Sequence, residues 1–344
     1  NDGCMSPNQA VQFVIGASTP MEYATLDRIP AKFSRIVQGT VMISDEDQTA
    51  ADALLDAVWE NGGRTFDTAH GYGRGACERA LGSWLSRRGI RDEAVIIGKG
   101  AHPYDGRNRV TPENITSDLH ESLERMGIET IDLYLLHRDD PTIPVGPIVD
   151  VLNEHLRAGK IRRFGGSNWT TIRIAAANAY AAESGLKPFT ASSPNFSLAQ
   201  QRKAPWAGCI SVSGEAGAAE REWYITHDMP VFPWSSLAGG FFSGRFTRTN
   251  LHTFRETLDL LAVEAYAFED NFRRLDRVQE AAEWHEASVA QIALAWVLHQ
   301  PMRTFPLVGS RTGEEFAANA AALDLVLTPE EIEWLDLQRD ERPW

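Results

Sequence analysis

Residues 65–73 read TFDTAHGYG. A Thr-Phe pair of strand character runs into Asp67, and a short glycine-flanked loop carries Tyr72 five positions later. An apolar strand that ends on a carboxylate, then a loop, then the helical pattern of residues 77–87 outlines a strand–helix unit. The outline recurs on both sides. Short apolar runs stand at 35–37, 64–68, 94–99, 131–137, 161–167, 189–193, 231–235 and 304–309. Helical stretches follow them at 48–60, 77–87, 112–126, 148–158, 170–183, 216–227, 271–284 with 289–299, and 314–323. Strands alternating with helices pair in parallel, and eight such units close into a (β/α)8 barrel of the α/β class. Thr111-Pro112 and Thr328-Pro329 set a capping hydroxyl before a first-turn proline, so helices start at 112 and 329. The second of these, 329–339, is expected as an extra helix after the barrel. Residues 237–266 show no core strand and read as a long loop after the seventh strand.

Residues 21–344 are therefore expected to form one barrel domain. The preceding 1–20 include NQAVQFVIGASTP, apolar enough for a strand but outside the repeating pattern, and read as an N-terminal arm of undetermined origin. Composition supports a full core: 43% of the 344 residues are hydrophobic and 23% charged. A net charge of −14 argues against nucleic-acid or anionic-membrane partners, which need a concentrated basic face. The cysteines, Cys4, Cys77 and Cys209, are odd in number and widely spaced, which suits reduced thiols and a cytoplasmic location. No apolar run reaches the roughly 18 residues of a membrane span, and the N-terminus lacks the basic-then-apolar order of a signal peptide. Oligomeric state is not legible. The nine histidines show no HExxH or paired Cys/His spacing, so no metal site is expected, and no GxSxG elbow occurs.

In a barrel the active site lies where the strands end. Here the second strand ends at Asp67, the third at Lys99, the fourth at His137 and the fifth at Ser167-Asn168. A strand-end Asp often caps the next helix, a terminal Lys is usually solvated, and a lone His is often a satisfied core residue. Four such residues at one mouth are harder to explain separately. A tyrosine hydroxyl has a reference pKa of about 10, and an adjacent ammonium lowers it by favouring the phenolate. Lys99 is placed to supply that charge, Asp67 to keep the lysine charged, and His137 to orient a substrate oxygen. Tyr72 is then a general acid or base for a carbonyl or its alcohol, and a hydride carrier completes the reaction.

With those residues in view, the chain resembles the aldo-keto reductases over about residues 21–339, in particular the branch related to potassium-channel β-subunits. The resemblance implies a catalytic tetrad of Asp67, Tyr72, Lys99 and His137 and an NADP or NAD cofactor. It implies Gly39, Thr40 and Val41 beside the cofactor, Ser167, Asn168 and Ser193 around its carboxamide, and Trp234 stacked on its nicotinamide. Ser193 stands where the family usually has glutamine. PWSSLAGGFFSGR would lay Ser235, Ser236, Leu237, Ala238 and Gly239 along the diphosphate, with Arg245 as a clamp. LVGSRTGEEFAAN would place Gly309, Arg311, Glu315 and Asn319 near the adenosine phosphate. Family habit favours NADP, but a Glu315 carboxylate repels a 2′-phosphate and accepts a ribose hydroxyl, which leaves NAD open.

Competing readings are weaker. GYGRGA at 71–76 fits a lone dinucleotide motif, yet the next strand ends in Lys99 where a ribose-binding acid is wanted. A Schiff-base lysine at position 99 would leave Trp234 and the adenosine segment without a purpose. A redox-sensing regulatory module of the same fold is the alternative function; such channel subunits carry Asn at the position of His137, and the histidine favours turnover. His70, His102, Tyr104, Asp105, Arg107, Arg138, Trp169 and Asn195 are expected near the mouth, and their polarity suggests a hydroxylated, sugar-like carbonyl or alcohol.

Overall fold

The computed structural model describes residues 21–26, 29 and 32–344. The arm expected at 1–20, with Cys4, lies outside the described residues. A short antiparallel hairpin, Tyr23–Ala24 (β1) with Phe33–Ser34 (β2), comes first. The barrel strands are Val37–Gly39 (β3), Thr65–Asp67 (β4), Val95–Gly100 (β5), Ile131–Leu136 (β6), Ile161–Ser167 (β7), Ser192–Ser193 (β8) and Leu307–Val308 (β9). They are parallel, in the order β8-β7-β6-β5-β4-β3-β9. The first barrel strand begins at Val37 rather than 35, because Arg35 and Ile36 form a bend out of the hairpin.

The seventh strand, expected over 231–235, is reduced to isolated bridges of Val231 with Ser192 and Thr304 and of Trp234 with Asn195. Pro230 and Pro233 explain this, since neither has an N–H to give to a ladder. The bridges still close the ring: Val231 donates to Arg303 and accepts from Phe305, and Leu307 donates to the Pro233 carbonyl. The molecule is a (β/α)8 barrel.

Its helices are Gln48–Glu60 (α1), Ala76–Arg88 (α2), Pro112–Met126 (α3), Val145–Arg157 (α4), Thr171–Glu183 (α5), Ala218–Thr226 (α6), Thr257–Tyr266 (α7), Glu269–Trp284 (α8), Val289–Leu298 (α9), Gly313–Ala320 (α10) and Pro329–Leu335 (α11). The Thr111 and Thr328 hydroxyls cap α3 and α11 as their Thr-Pro sequences predict. Two differences stand out. The expected last helix stops at Leu335, because Leu337 turns left-handed at φ +62. Helix α7 lies inside the segment read as loop: TLDLLAVEAY leaves Leu258 and Leu260 exposed, so no single apolar stripe announces it.

Period-two alternation decides which strand residues face the axis. Val95 and Ile97 of β5 join Leu133 and Leu135 of β6 inside the barrel, whereas Ile96, Tyr134 and Leu136 pack toward the helices. Leu26, Ile29 and Phe33 belong to the interior cluster, and the Phe33 ring lies 5.6 Å from Phe232 and 6.1 Å from Phe305. The hairpin thus closes the N-terminal end of the barrel and leaves the other end for chemistry.

Candidate active site

Lys99 shares the inward parity of Val95 and Ile97, so β5 delivers its ammonium to the barrel axis. Asp67 ends β4 next to it, and Lys99 Nζ donates to Asp67 Oδ1 at 2.6 Å and to the Thr68 carbonyl at 2.9 Å. The loop after β4 is tied back to β5, with Thr68 N–H on the Ile97 carbonyl and His70 N–H on the Lys99 carbonyl, both at 2.8 Å. That brings Tyr72 over the mouth: Lys99 Nζ sits 5.1 Å from its ring centre. His137 follows β6 and stands edge-on to Tyr72 with ring centres 5.7 Å apart. Asp67, Lys99 and His137, expected at three separate strand ends, thus form one cluster with Tyr72 of the loop after β4.

Burial dominates the electrostatics. It pushes the Asp67 carboxyl up, against the pull of the Lys99 ammonium. Burial alone would lower Lys99, but the charges of Asp67 and Tyr72 hold it above its usual value, so it is a cation at neutral pH. Tyr72 departs from the sequence expectation. Lys99 does pull its pKa down, but loss of solvent outweighs that pull and the phenol ends above its ordinary value. The hydroxyl is therefore protonated at rest, the state of a proton donor. Burial, with the cations of Lys99 and Arg138, drives His137 far below the usual imidazole range and keeps it neutral. Neither of its ring nitrogens is hydrogen-bonded among the described residues, and Nδ1 is fully buried.

Around this centre the remaining expected residues fall into distinct settings. Gly39 ends β3, Thr40 is buried with its hydroxyl on the Asp67 carbonyl at 3.1 Å, and Val41 is exposed. Ser167 donates to the Ser193 carbonyl at 2.9 Å. Asn168 uses both amide hydrogens, on the His137 carbonyl and Ser167 Oγ at 3.2 Å each, while its Oδ1 accepts from Ile210 N–H and the Trp234 indole. It is saturated within the protein. Trp234 is half-buried, and its ring lies 6.0 Å from that of Trp206. Beyond it, Ser235 and Ala238 adopt left-handed backbone at φ +52 and +54. The N–H groups of Ser235, Ser236 and Leu237 have no acceptor among the described residues. Three successive free donors beside a left-handed turn suit an anion such as a diphosphate.

Arg245 is paired with Asp259 at 3.1 Å. Across the mouth, Gly309 follows β9, and Asn319 donates to Ser310 Oγ at 3.1 Å. Glu315 accepts from the Arg311 backbone at 2.7 Å, and Arg311 reaches Glu256, just before α7, at 3.7 Å. The half-exposed Arg311 guanidinium and the free donors at 235–237 together fit a dinucleotide. Such a cofactor supplies the hydride.

Among the residues expected near the substrate, His102 packs against His137 with ring centres 4.8 Å apart. Trp169 and Asn195 do not line the mouth. Both are fully buried, Trp169 donating to the Arg138 carbonyl and Asn195 to the Trp234 carbonyl and the Tyr266 hydroxyl. His70 is held outward by Glu121 at 2.9 Å, and Tyr104 is largely exposed. Trp206 was not expected from sequence. Its signal was a lone aromatic in the polar stretch QRKAPWAGC, which periodicity cannot place.

Comparison with known proteins shows the family to which the chain belongs. The sequence profile of the aldo/keto reductase family matches residues 35–338. An oxidoreductase of Bacillus subtilis, itself uncharacterized, is 28% identical over 92% of this chain and 95% of its own. A probable aryl-alcohol dehydrogenase of Saccharomyces cerevisiae is 28% identical over 82% of this chain and 85% of its own. A probable voltage-gated potassium channel subunit beta of Oryza sativa is 25% identical over 94% and 98%. Among the described residues no helix is long and apolar enough to cross a membrane. The chain belongs to the aldo/keto reductase family, and its chemistry is NAD(P)-dependent oxidoreduction between carbonyl and alcohol.

Proposed function

We propose that this chain reduces a small polar aldehyde or ketone, and oxidises the matching alcohol, with Tyr72 as the general acid and base. The observation that carries the reading is the cluster at the mouth: a protonated Tyr72, the Lys99–Asp67 pair beneath it and a neutral, unpartnered His137 beside it. In reduction, a bound nicotinamide would supply the hydride for the carbonyl carbon. His137 donates a hydrogen bond to the carbonyl oxygen, Tyr72 gives it a proton, and Lys99 stabilises the phenolate left behind. Trp234 is assigned to the nicotinamide, the 235–239 segment with Arg245 to the diphosphate, and Gly309, Arg311, Glu315 and Asn319 to the adenosine phosphate. NADP is the nucleotide that family resemblance favours, with NAD left open by Glu315. A regulatory role like that suggested by the channel-subunit relative is the alternative; the imidazole of His137 supports turnover.

The test is reduction of an aldehyde panel followed by absorbance of the reduced nicotinamide. Tyr72→Phe keeps the ring and removes the hydroxyl, so turnover is expected to fall about 10²- to 10⁴-fold while cofactor affinity persists. Near-normal turnover in that variant would remove Tyr72 from the mechanism.

A further inference from the structure

One charge at the mouth has no counter-charge among the described residues. Arg138 follows His137 and is only 6% exposed. Its Nε donates to the Ala207 carbonyl at 3.2 Å and its Nη1 to the His137 carbonyl at 2.8 Å. Gly208, at φ +71, rests on its stem, where a Cβ would come 3.3 Å from Cδ. No carboxylate lies within 4.0 Å of the guanidinium among the described residues. The neighbouring acids are engaged elsewhere: Asp139 with Arg173 at 3.0 Å, Asp140 with Asn108 at 2.9 Å and Thr142 at 2.7 Å. Arg274, equally buried, does have its carboxylate, Asp336 at 3.0 Å.

A guanidinium has five N–H donors, and a buried cation is unfavourable unless an anion and full hydrogen bonding compensate it. Two carbonyls satisfy only part of that demand. The place where Arg138 acts is clear from its neighbours, because its charge bears on Tyr72, His137, His102 and Cys209. All but the last belong to the reaction centre or pack against it. The free N–H groups at 235–237 and the Arg311 guanidinium are assigned to the cofactor phosphates, so Arg138 is left for the other ligand.

We infer that Arg138 receives an oxyanion of the substrate, so the carbonyl compound carries a carboxylate or phosphate group. The inference rests on the function proposed above. The planar fork matches either anion in a two-point contact, and burial beneath Ala207 and Gly208 strengthens it by excluding water. Binding the anion also fixes the carbonyl relative to Tyr72 and His137, which a neutral substrate would have to achieve with weaker contacts.

The experiment compares matched substrates: 4-carboxybenzaldehyde with 4-methylbenzaldehyde, and glyceraldehyde 3-phosphate with glyceraldehyde. In the parent enzyme the charged member of at least one pair should show a kcat/KM about ten-fold or more above its neutral partner. Whichever pair shows it identifies the anion. In Arg138→Met that ratio should collapse toward one, and Arg138→Lys should restore part of it. A ratio near one in the parent, or a ratio unmoved by Arg138→Met, overturns the inference. If no aldehyde is turned over, the function proposed above is at fault, and binding still decides the anion site. Benzoate or inorganic phosphate should then raise the melting temperature of the parent and not of Arg138→Met. Absence of any shift in the parent rejects the site.

Discussion

At the scale of single residues, Tyr72 balances two opposed influences. Loss of solvent disfavours its anion, the Lys99 ammonium favours it, and the first is larger. Reduction needs the protonated phenol and has it. Alcohol oxidation needs the phenolate, so its rate must climb as pH rises toward the elevated phenol pKa. Lys99 acts on Tyr72 more strongly than Asp67 does, so removing both charges raises that pKa further. The double variant Asp67→Asn, Lys99→Met is the right one, since Lys99→Met alone strands a buried carboxylate at a cost of about 3–5 kcal/mol. Its oxidation limb in a plot of kcat/KM against pH is expected at higher pH than in the parent, with reduction also slowed about 10²-fold or more. An oxidation limb that stays in place would show that the pair does not tune the tyrosine. The positions of Asp67, Lys99 and His137 were legible because period two in a strand fixes which side chains face the axis. The saturation of Asn168 was not, because its partners Ile210 and Trp234 come from loops 42 and 66 residues away.

At the scale of elements, the barrel helices and long strands were readable from their periodicity, while proline and an unpatterned helix hid the rest. Pro230 and Pro233 strip the seventh strand to bridges, and α7 shows no stripe that would distinguish it from a loop. Helix α10 illustrates a role that sequence alone missed. Glu315 was read only as a charge near the adenosine phosphate, yet it also caps the helix. Thr312 accepts from the Glu315 N–H at 3.1 Å, and the Glu315 carboxylate returns to the Arg311 N–H at 2.7 Å. Glu315→Arg should therefore have two effects. The ratio of kcat/KM for NADP over NAD should rise about ten-fold, because a charge-assisted contact contributes roughly 1.5–3 kcal/mol and screening reduces it. Stability should fall by about 1 kcal/mol with the lost cap. Glu315→Gln retains an acceptor for the Arg311 N–H and removes the charge, so it should move the cofactor ratio in the same direction without the stability loss. A ratio unmoved in both variants would mean that residues 309–319 do not hold the adenosine phosphate.

At the scale of the whole molecule, the two ends of the barrel do different work. The end where strands finish carries Asp67, Lys99 and His137, and left-handed backbone at Ala101, Asn168 and Ser235 gathers around it, at φ +59, +60 and +52. Such conformations are strained for residues with a side chain and persist only where surrounding structure fixes them. The opposite end is closed by the hairpin: Phe33 is fully buried against Phe232 and Phe305, which themselves stack at 4.8 Å, and Ser34 N–H donates to the Thr65 hydroxyl at 2.9 Å. Nothing titratable in the reaction centre touches it. Phe33→Ala should thus open a cavity at the base and destabilise the protein by about 3–5 kcal/mol, seen as a lower urea midpoint. Because Phe33 packs at the end away from the Lys99–Asp67 pair, kcat/KM at 25 °C should match the parent's. An unchanged urea midpoint would mean that the hairpin decorates the barrel without closing it. A lower midpoint accompanied by lost turnover would instead mean that packing at the base sets the geometry of the Lys99–Asp67 pair, and that stability and catalysis are not separated along the barrel axis.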